Sequence, residues 1–188
     1  MKKSAEKLCR RDLFKGMFRN ITNIAVESLE RSQPRLRPRP PGALTETIFL
    51  ATCTRCGKCS QICPAGCIRP YDDPSKGYVL GTPYVDFTRK GCSFCMQCVA
   101  NCPTGALSAN SENEYRIGTA HISESACIAW KGAICGNCGF ACKRQAIISD
   151  QNRRPKVQAN LCNGCGICQS RCIASPNAII IDDVIHDV

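Results

Sequence analysis

The sequence predicts a small α+β fold built from repeated cysteine loops, and three observations carry that expectation. Of 188 residues, 18 are cysteine. Sixteen of those eighteen fall into four ordered runs of four, a self-similarity that marks repeated structural units. Short alternating apolar segments flank the runs, as expected of short strands on either side of a loop. With aromatic residues at 6%, apolar burial alone makes a thin core for this length, so something else has to staple the chain. A disulfide framework suits a short secreted chain, but the first 41 residues show no secretory signal with a long apolar stretch. The expectation therefore moves to metal binding.

The runs are regular. Cys53, Cys56, Cys59 and Cys63 form C-x2-C-x2-C-x3-C followed by Pro64, and Cys92, Cys95, Cys98 and Cys102 repeat that spacing before Pro103. Cys162, Cys165, Cys168 and Cys172 keep the spacing with Ile173 after the last thiol. Cys127, Cys135, Cys138 and Cys142 stretch the first gap to seven residues. Three thiolates two residues apart let a short loop wrap three iron corners of a cubane, and in two-cluster bacterial ferredoxins the fourth cysteine of each run ligates the other run's cluster. The expected cofactors are four [4Fe–4S] clusters, with these sixteen cysteines as iron ligands. Zinc would call for paired C-x2-C knuckles separated by a dozen or more residues.

Two pairings of the runs remain open. If sequence neighbours pair, Cys53, Cys56, Cys59 and Cys102 hold one cluster and Cys92, Cys95, Cys98 and Cys63 its companion. Cys127, Cys135, Cys138 and Cys172 then hold a third, and Cys162, Cys165, Cys168 and Cys142 the fourth. A nested arrangement joins the first run to the fourth and the second to the third, with the same ligand list. The predicted class is thus α+β, with two bacterial dicluster ferredoxin-like modules behind an N-terminal amphipathic helix and Pro-rich linker. The expected boundaries are 1–41 for a basic arm, 42–112 for the first module and 113–188 for the second.

Strands are expected at Val85-Asp86-Phe87, Ala106-Leu107, Ala120-His121-Ile122, Ala146-Ile147-Ile148, Val157-Gln158-Ala159 and Ala178 to Ile181. Leu44 to Thr52 reads as a helix, and Cys67 to Pro83 as a loop rich in Pro, Gly and Asp. In the arm, Phe14, Met17, Phe18, Ile21, Ile24, Ala25 and Leu29 recur on one face behind an N-capping Asp12, which predicts an amphipathic helix over 12–30. That helix could pack on the body, dock a partner, or lie on an anionic membrane through Lys15 and Arg19. Pro34 to Pro41 reads as an extended, stiff linker.

The formal charge of +10 is concentrated at one end: residues 1–41 carry a net +7 and residues 42–188 only +3. Four oxidised clusters of about −2 each would turn the body mildly acidic, so nucleic acid is not an expected partner. No apolar run approaches the roughly 18 residues that cross a bilayer. No haem signature, Walker loop, G-x-G-x-x-G fingerprint or spaced Ser/His/Asp set is present, so no catalytic site of its own is expected.

On these runs the chain resembles the ferredoxin-type accessory proteins of periplasmic nitrate reductase systems, the NapF type. Beyond the spacing, Arg39-Pro40-Pro41-Gly42-Ala43-Leu44 leads through Phe49 to Cys53-Thr54-Arg55-Cys56. Cys92-Ser93-Phe94-Cys95, Cys127-Ile128-Ala129-Trp130 and Cys162-Asn163-Gly164-Cys165-Gly166 open the other runs in the same style. The resemblance covers residues 39 to about 182. It implies a cytoplasmic iron–sulfur protein that contacts the catalytic subunit of a molybdenum reductase before export, supplying electrons or aiding maturation. A non-redox assembly chaperone with structural clusters is a second expectation. The related NapG or MauM type implies an exported electron-transfer component of a quinol dehydrogenase. Arg10-Arg11 resembles a twin-arginine signal, but Arg19, Asn20, Thr22, Asn23 and Glu27 interrupt the apolar stretch that should follow.

Cys67 and Cys9 stand outside the runs and are expected to be a small buried apolar residue and an incidental tail thiol, respectively. His121 and His186 do not form the close pair that a Rieske site requires. Trp130, Phe94, Tyr84 and Phe87 are expected to shield clusters from water, which would tune their potentials.

Overall fold

A computed structural model describes residues 37–109 and 115–183. The expected helix over 12–30, Arg10-Arg11, Cys9 and His186 lie outside the described residues. The elements in chain order are α1 (Glu46–Thr52), α2 (Lys58–Ile62), β1 (Ile68–Pro70), a 3-10 segment (Pro74–Val79), β2 (Pro83–Val85) and α3 (Gln97–Ala100). They continue with β3 (Gly118–Ile122), α4 (Asn137–Ala141), β4 (Ile147–Ser149), β5 (Pro155–Val157), α5 (Ile167–Ser170) and β6 (Ile179–Asp183). The α+β class is as expected, and no described helix is long and apolar enough to cross a membrane.

The strands form three antiparallel pairs. In the second half β3 pairs with β6, with Ala120 opposite Ile181, and β4 pairs with β5, with Ile147 opposite Val157. The strand before the third run therefore meets the strand after the fourth, and the two strands between those runs meet each other. The first half has the same plan in reduced form. There β1 and β2, between the first and second runs, pair with Ile68 opposite Val85. The outer pair shrinks to a single bridge between Ala43 and Leu107, because Thr45 at the head of α1 turns the chain into a helix two residues later. That bridge is closed by Leu44 N–H to Ala106 O at 3.1 Å and Ser108 N–H to Gly42 O at 2.7 Å. Gly42 has φ +78, and a Cβ there would stand 2.6 Å from Ser108 O, so both its backbone angle and its close approach require glycine.

The halves repeat because each places one short helix after each cysteine loop. α2 packs on α3 and α4 on α5, with Cys98, Cys138 and Cys168 on their buried faces. The core is assembled from small side chains and thiols together with Phe49, Ile68, Val85, Phe87, Leu107, Ile117, Ile147, Ile179 and Ile181.

Four expectations require correction. The segment Cys67 to Pro83 is not all loop: it contains β1 and the 3-10 segment. Pro70 hides the strand from pattern reading but sits at its last position, where a missing amide is tolerated. Ala106-Leu107 contributes a bridge instead of a strand. Strand β2 ends at Val85 and β5 at Val157, so Asp86, Phe87, Gln158 and Ala159 already belong to the turns entering the cysteine loops. Finally, residues 37–41 do not behave as a linker: Pro38, Arg39, Pro40 and Pro41 are buried.

Arg39 explains that burial. Its side chain is 6% exposed. It donates to both carboxylate oxygens of Glu46 at 2.6 and 3.0 Å, to Thr82 Oγ1 at 2.8 Å and to Pro83 O at 2.7 Å. The guanidinium also lies 4.7 Å from the Phe49 ring centre and 5.4 Å from that of Tyr71. A planar fork with this many partners is a role that lysine cannot fill. Arg39→Ala is expected to destabilise the loaded protein by about 3 kcal/mol, the lower end for breaking a buried pair because Glu46 can regain water. Arg39→Lys should recover part of that loss. Denaturant melts at unchanged iron content measure both.

Candidate metal centres

The cysteine loops are wound by left-handed residues placed on either side of the second cysteine. In the first run these are Arg55 (φ 57) and Gly57 (φ 72), in the second Phe94 (φ 54) and Met96 (φ 58), and in the fourth Gly164 (φ 71) and Gly166 (φ 69). Alternation of this kind curls successive amides toward one point and makes an anion-binding concavity. Arg55, Phe94 and Met96 hold this conformation at a steric cost that glycine would not carry. The third run lacks the pair. Its longer first gap turns through Gly132 (φ 93) instead, and the Trp130 indole N–H, 3.3 Å from Pro155 O, pins that loop to β5.

The loops gather eight of these cysteines around two cavities. The first set, Cys53, Cys56, Cys59 and Cys102, lines one cavity. Another cavity is lined by Cys127, Cys135, Cys138 and Cys172. In both, three thiols come from one run and the fourth from its sequence neighbour. The Cys98 thiol lies within electrostatic reach of Cys92, Cys59 and Cys63, with Cys95 exposed on the same loop. Cys168 is likewise surrounded by Cys165, Cys162 and Cys142. The runs are thus brought together first with second and third with fourth, and not in the nested order.

The chemistry of the sets suits a polynuclear group. The donors in each set are all sulfur, the ligand type that iron–sulfur clusters take. All seventeen described cysteines are free thiols. Burial, reinforced by neighbouring thiolates, pushes Cys59 up to about 11 and both Cys98 and Cys168 up to about 12. Burial raises Cys138 and Cys165 as well. Thiols held protonated in this way give up protons when they bind metal, which ties loading to pH.

Amides point at several sulfurs. Phe94 N–H donates to Cys92 Sγ at 3.4 Å, Leu107 N–H to Cys102 Sγ at 3.4 Å, Ala146 N–H to Cys142 Sγ at 3.3 Å and Ala120 N–H to Cys162 Sγ at 3.4 Å. At Cys102, burial works to raise the thiol, but these amide and Thr104 contacts outweigh it and the net shift is downward. Hydrogen bonds to ligand sulfur stabilise negative charge and so raise the potential of a bound cluster.

Cys67 lies closer to the ligand sets than its sequence position suggests. It is 2% exposed, with its Sγ 3.7 Å from Cys63 Sγ. The Cys67 thiol lowers its neighbour Cys92, while its own proton becomes harder to remove. Its burial matches the expectation of a small packed residue. Cys67→Ala is expected to keep the full iron content and to cost about 1 kcal/mol for the lost volume, whereas Cys63→Ala should lose a cluster. Iron analysis with thermal melts checks both. Of the aromatics expected to shield, Phe87 is 4% exposed and Tyr84 6%. Trp130 packs against the group formed by Cys127, Ala129 and Ala178.

A fold that repeats a cysteine loop, helix and strand around crossed thiol sets defines a ferredoxin-type iron–sulfur protein. Residues 52–107 match the family model described as a 4Fe-4S dicluster domain. The chain is 34% identical to the methylamine utilization ferredoxin-type protein MauM of Methylorubrum extorquens, over 82% of this chain and 76% of that protein. It is 32% identical to the ferredoxin-type protein NapG of Escherichia coli, over 77% of this chain and 69% of that one. With NapF of the same organism it shares 31% identity over 79% of this chain and 85% of that one. The chain belongs to this family of MauM, NapG and NapF ferredoxin-type proteins, as the resemblance in its cysteine runs implied.

Proposed function

We propose that the protein carries four [4Fe–4S] clusters in two dicluster modules and passes single electrons within a redox chain. The observation that carries this reading is the exchange of fourth cysteines between neighbouring runs. It is seen at two cavities, one lined by Cys53, Cys56, Cys59 and Cys102 and one by Cys127, Cys135, Cys138 and Cys172, and the reading extends it to the other eight cysteines. The clusters supply one-electron chemistry. The chain's own part is to hold them, to donate amides to their sulfurs and to keep water away with Phe87 and Trp130. Under this reading the protein is a carrier or accessory subunit without a substrate site of its own.

The partner proposed is the catalytic subunit of a molybdenum reductase, met in the cytoplasm, as the NapF-type resemblance implies. A second reading, an exported electron-transfer component feeding from quinol oxidation, is favoured by the identities to MauM and NapG, 34% and 32%. Anaerobic iron analysis should reach about sixteen irons per chain, and a plateau near eight would reject the four-cluster assignment. Fractionation of native cells with the intact mass of the mature protein separates the partners. Cytoplasmic protein retaining Arg10 and Arg11 supports the reductase accessory, and periplasmic protein lacking them supports the exported component.

A further inference from the structure

The two halves meet at their second and fourth cysteine loops. Cys92 N–H donates to Cys165 O at 2.7 Å, and both residues belong to proposed ligand sets in different halves. The surroundings hold this contact closed. A Cβ on Gly91 would stand 2.7 Å from Cys165 O and would collide with the backbone of Ile167, and one on Gly166 would run into the Phe87 ring. Glycine at 91 and 166 is therefore what lets the two loops come this near. Phe87 and Cys92 are almost fully buried, 4% and 8% exposed, so water is excluded on the Cys92 side.

We infer that this contact is an electron bridge between the halves, which sets the four cluster sites in single file with the Cys92 and Cys165 sites in the middle. The inference rests on the four-cluster reading and adds the order of the sites. Within each half, crossed ligands already make the two sites neighbours. Between halves, the route from one ligand sulfur to the other uses only the covalent bonds of Cys92 and Cys165 and the single hydrogen bond joining them. The exchange moves one electron and no proton: one site is oxidised by one unit as the other is reduced by one. The Cys53 and Cys127 sites are left as the two ends, so electrons can enter at one half and leave at the other.

The test uses low-temperature electron paramagnetic resonance of the full chain, reduced anaerobically with dithionite. Cys56→Ala with Cys135→Ala removes a ligand from each end site and should leave about eight irons in the inner pair. Those two reduced clusters should show mutual spin–spin broadening. Two sharp, non-interacting signals at that iron content would overturn the bridge. Should this variant retain less iron, Gly91→Ala in the otherwise unaltered protein decides instead. With iron intact and hydrogen exchange showing the Cys92 amide deprotected, the interaction between halves should be lost, while coupling within each half persists. An unchanged spectrum under those conditions overturns the inference. A wild-type iron content near eight would instead reject the four-cluster reading, so the two failures are distinguishable.

Discussion

Removal of iron is expected to unfold the chain. The named strands are three to five residues long and pair only in twos, whereas an isolated two-stranded hairpin is marginal in water. The helices are seven residues or shorter, well below the length at which a helix holds itself together. Much of the core is thiol: Cys67, Cys92, Cys98, Cys127, Cys138 and Cys168 are all buried. Without metal, the loops lose the bonds that fix their left-handed turns, and the core loses its framework. Small zinc domains show the scale of this coupling, on the order of 10 kcal/mol of binding energy that is also folding energy. Chelation under reducing, anaerobic conditions should abolish both the far-UV dichroism and the melting transition. A transition surviving complete removal would mean that the apolar core suffices.

Exchange of the fourth cysteine predicts a pattern of non-additivity. Cys102→Ala should remove the cluster of Cys53, Cys56 and Cys59, lowering iron by about four per chain. Adding Cys56→Ala to it should lower iron no further, because both changes strike one site. Adding Cys95→Ala should lower it by about eight in all, because two sites are struck. If each run kept its own fourth ligand, the two double variants would exchange results. Cys172→Ala combined with Cys135→Ala or Cys165→Ala should repeat the pattern in the second half.

How far the sequence could be read depended on how local each feature is. Cysteine spacing is local, and the sets at Cys53 and Cys127 follow one of the two pairings it left open. The β3 and β6 strands were legible because Ala120, Ile122, Ile179 and Ile181 alternate over a full strand length. β1 was not, since three residues ending in proline carry no period, and only the opposing β2 makes them a strand. Arg39 looked like one more charge in a proline-rich stretch. Its buried partners Thr82 and Pro83 lie more than forty positions away, and such distant pairs leave no pattern in a single sequence. The contact of Cys92 with Cys165 is illegible for the same reason, although glycine at 91 and 166 is its trace. The proximity of Cys67 to Cys92 likewise needed the fold, because β1 and β2 bring the two together.

Crossed cysteines also change what chain continuity means for this molecule. Asp72, Asp73, Pro74 and Ser75 are exposed between the first and second runs, open to a protease. A cut there would separate the first run from the second along the backbone. Under the proposed ligand sets the pieces would remain joined, because each would contribute sulfur to both metal centres of that half. Loaded in that way, the two runs would be linked like rings of a chain, and taking out the metal, not severing the peptide, would release the linkage.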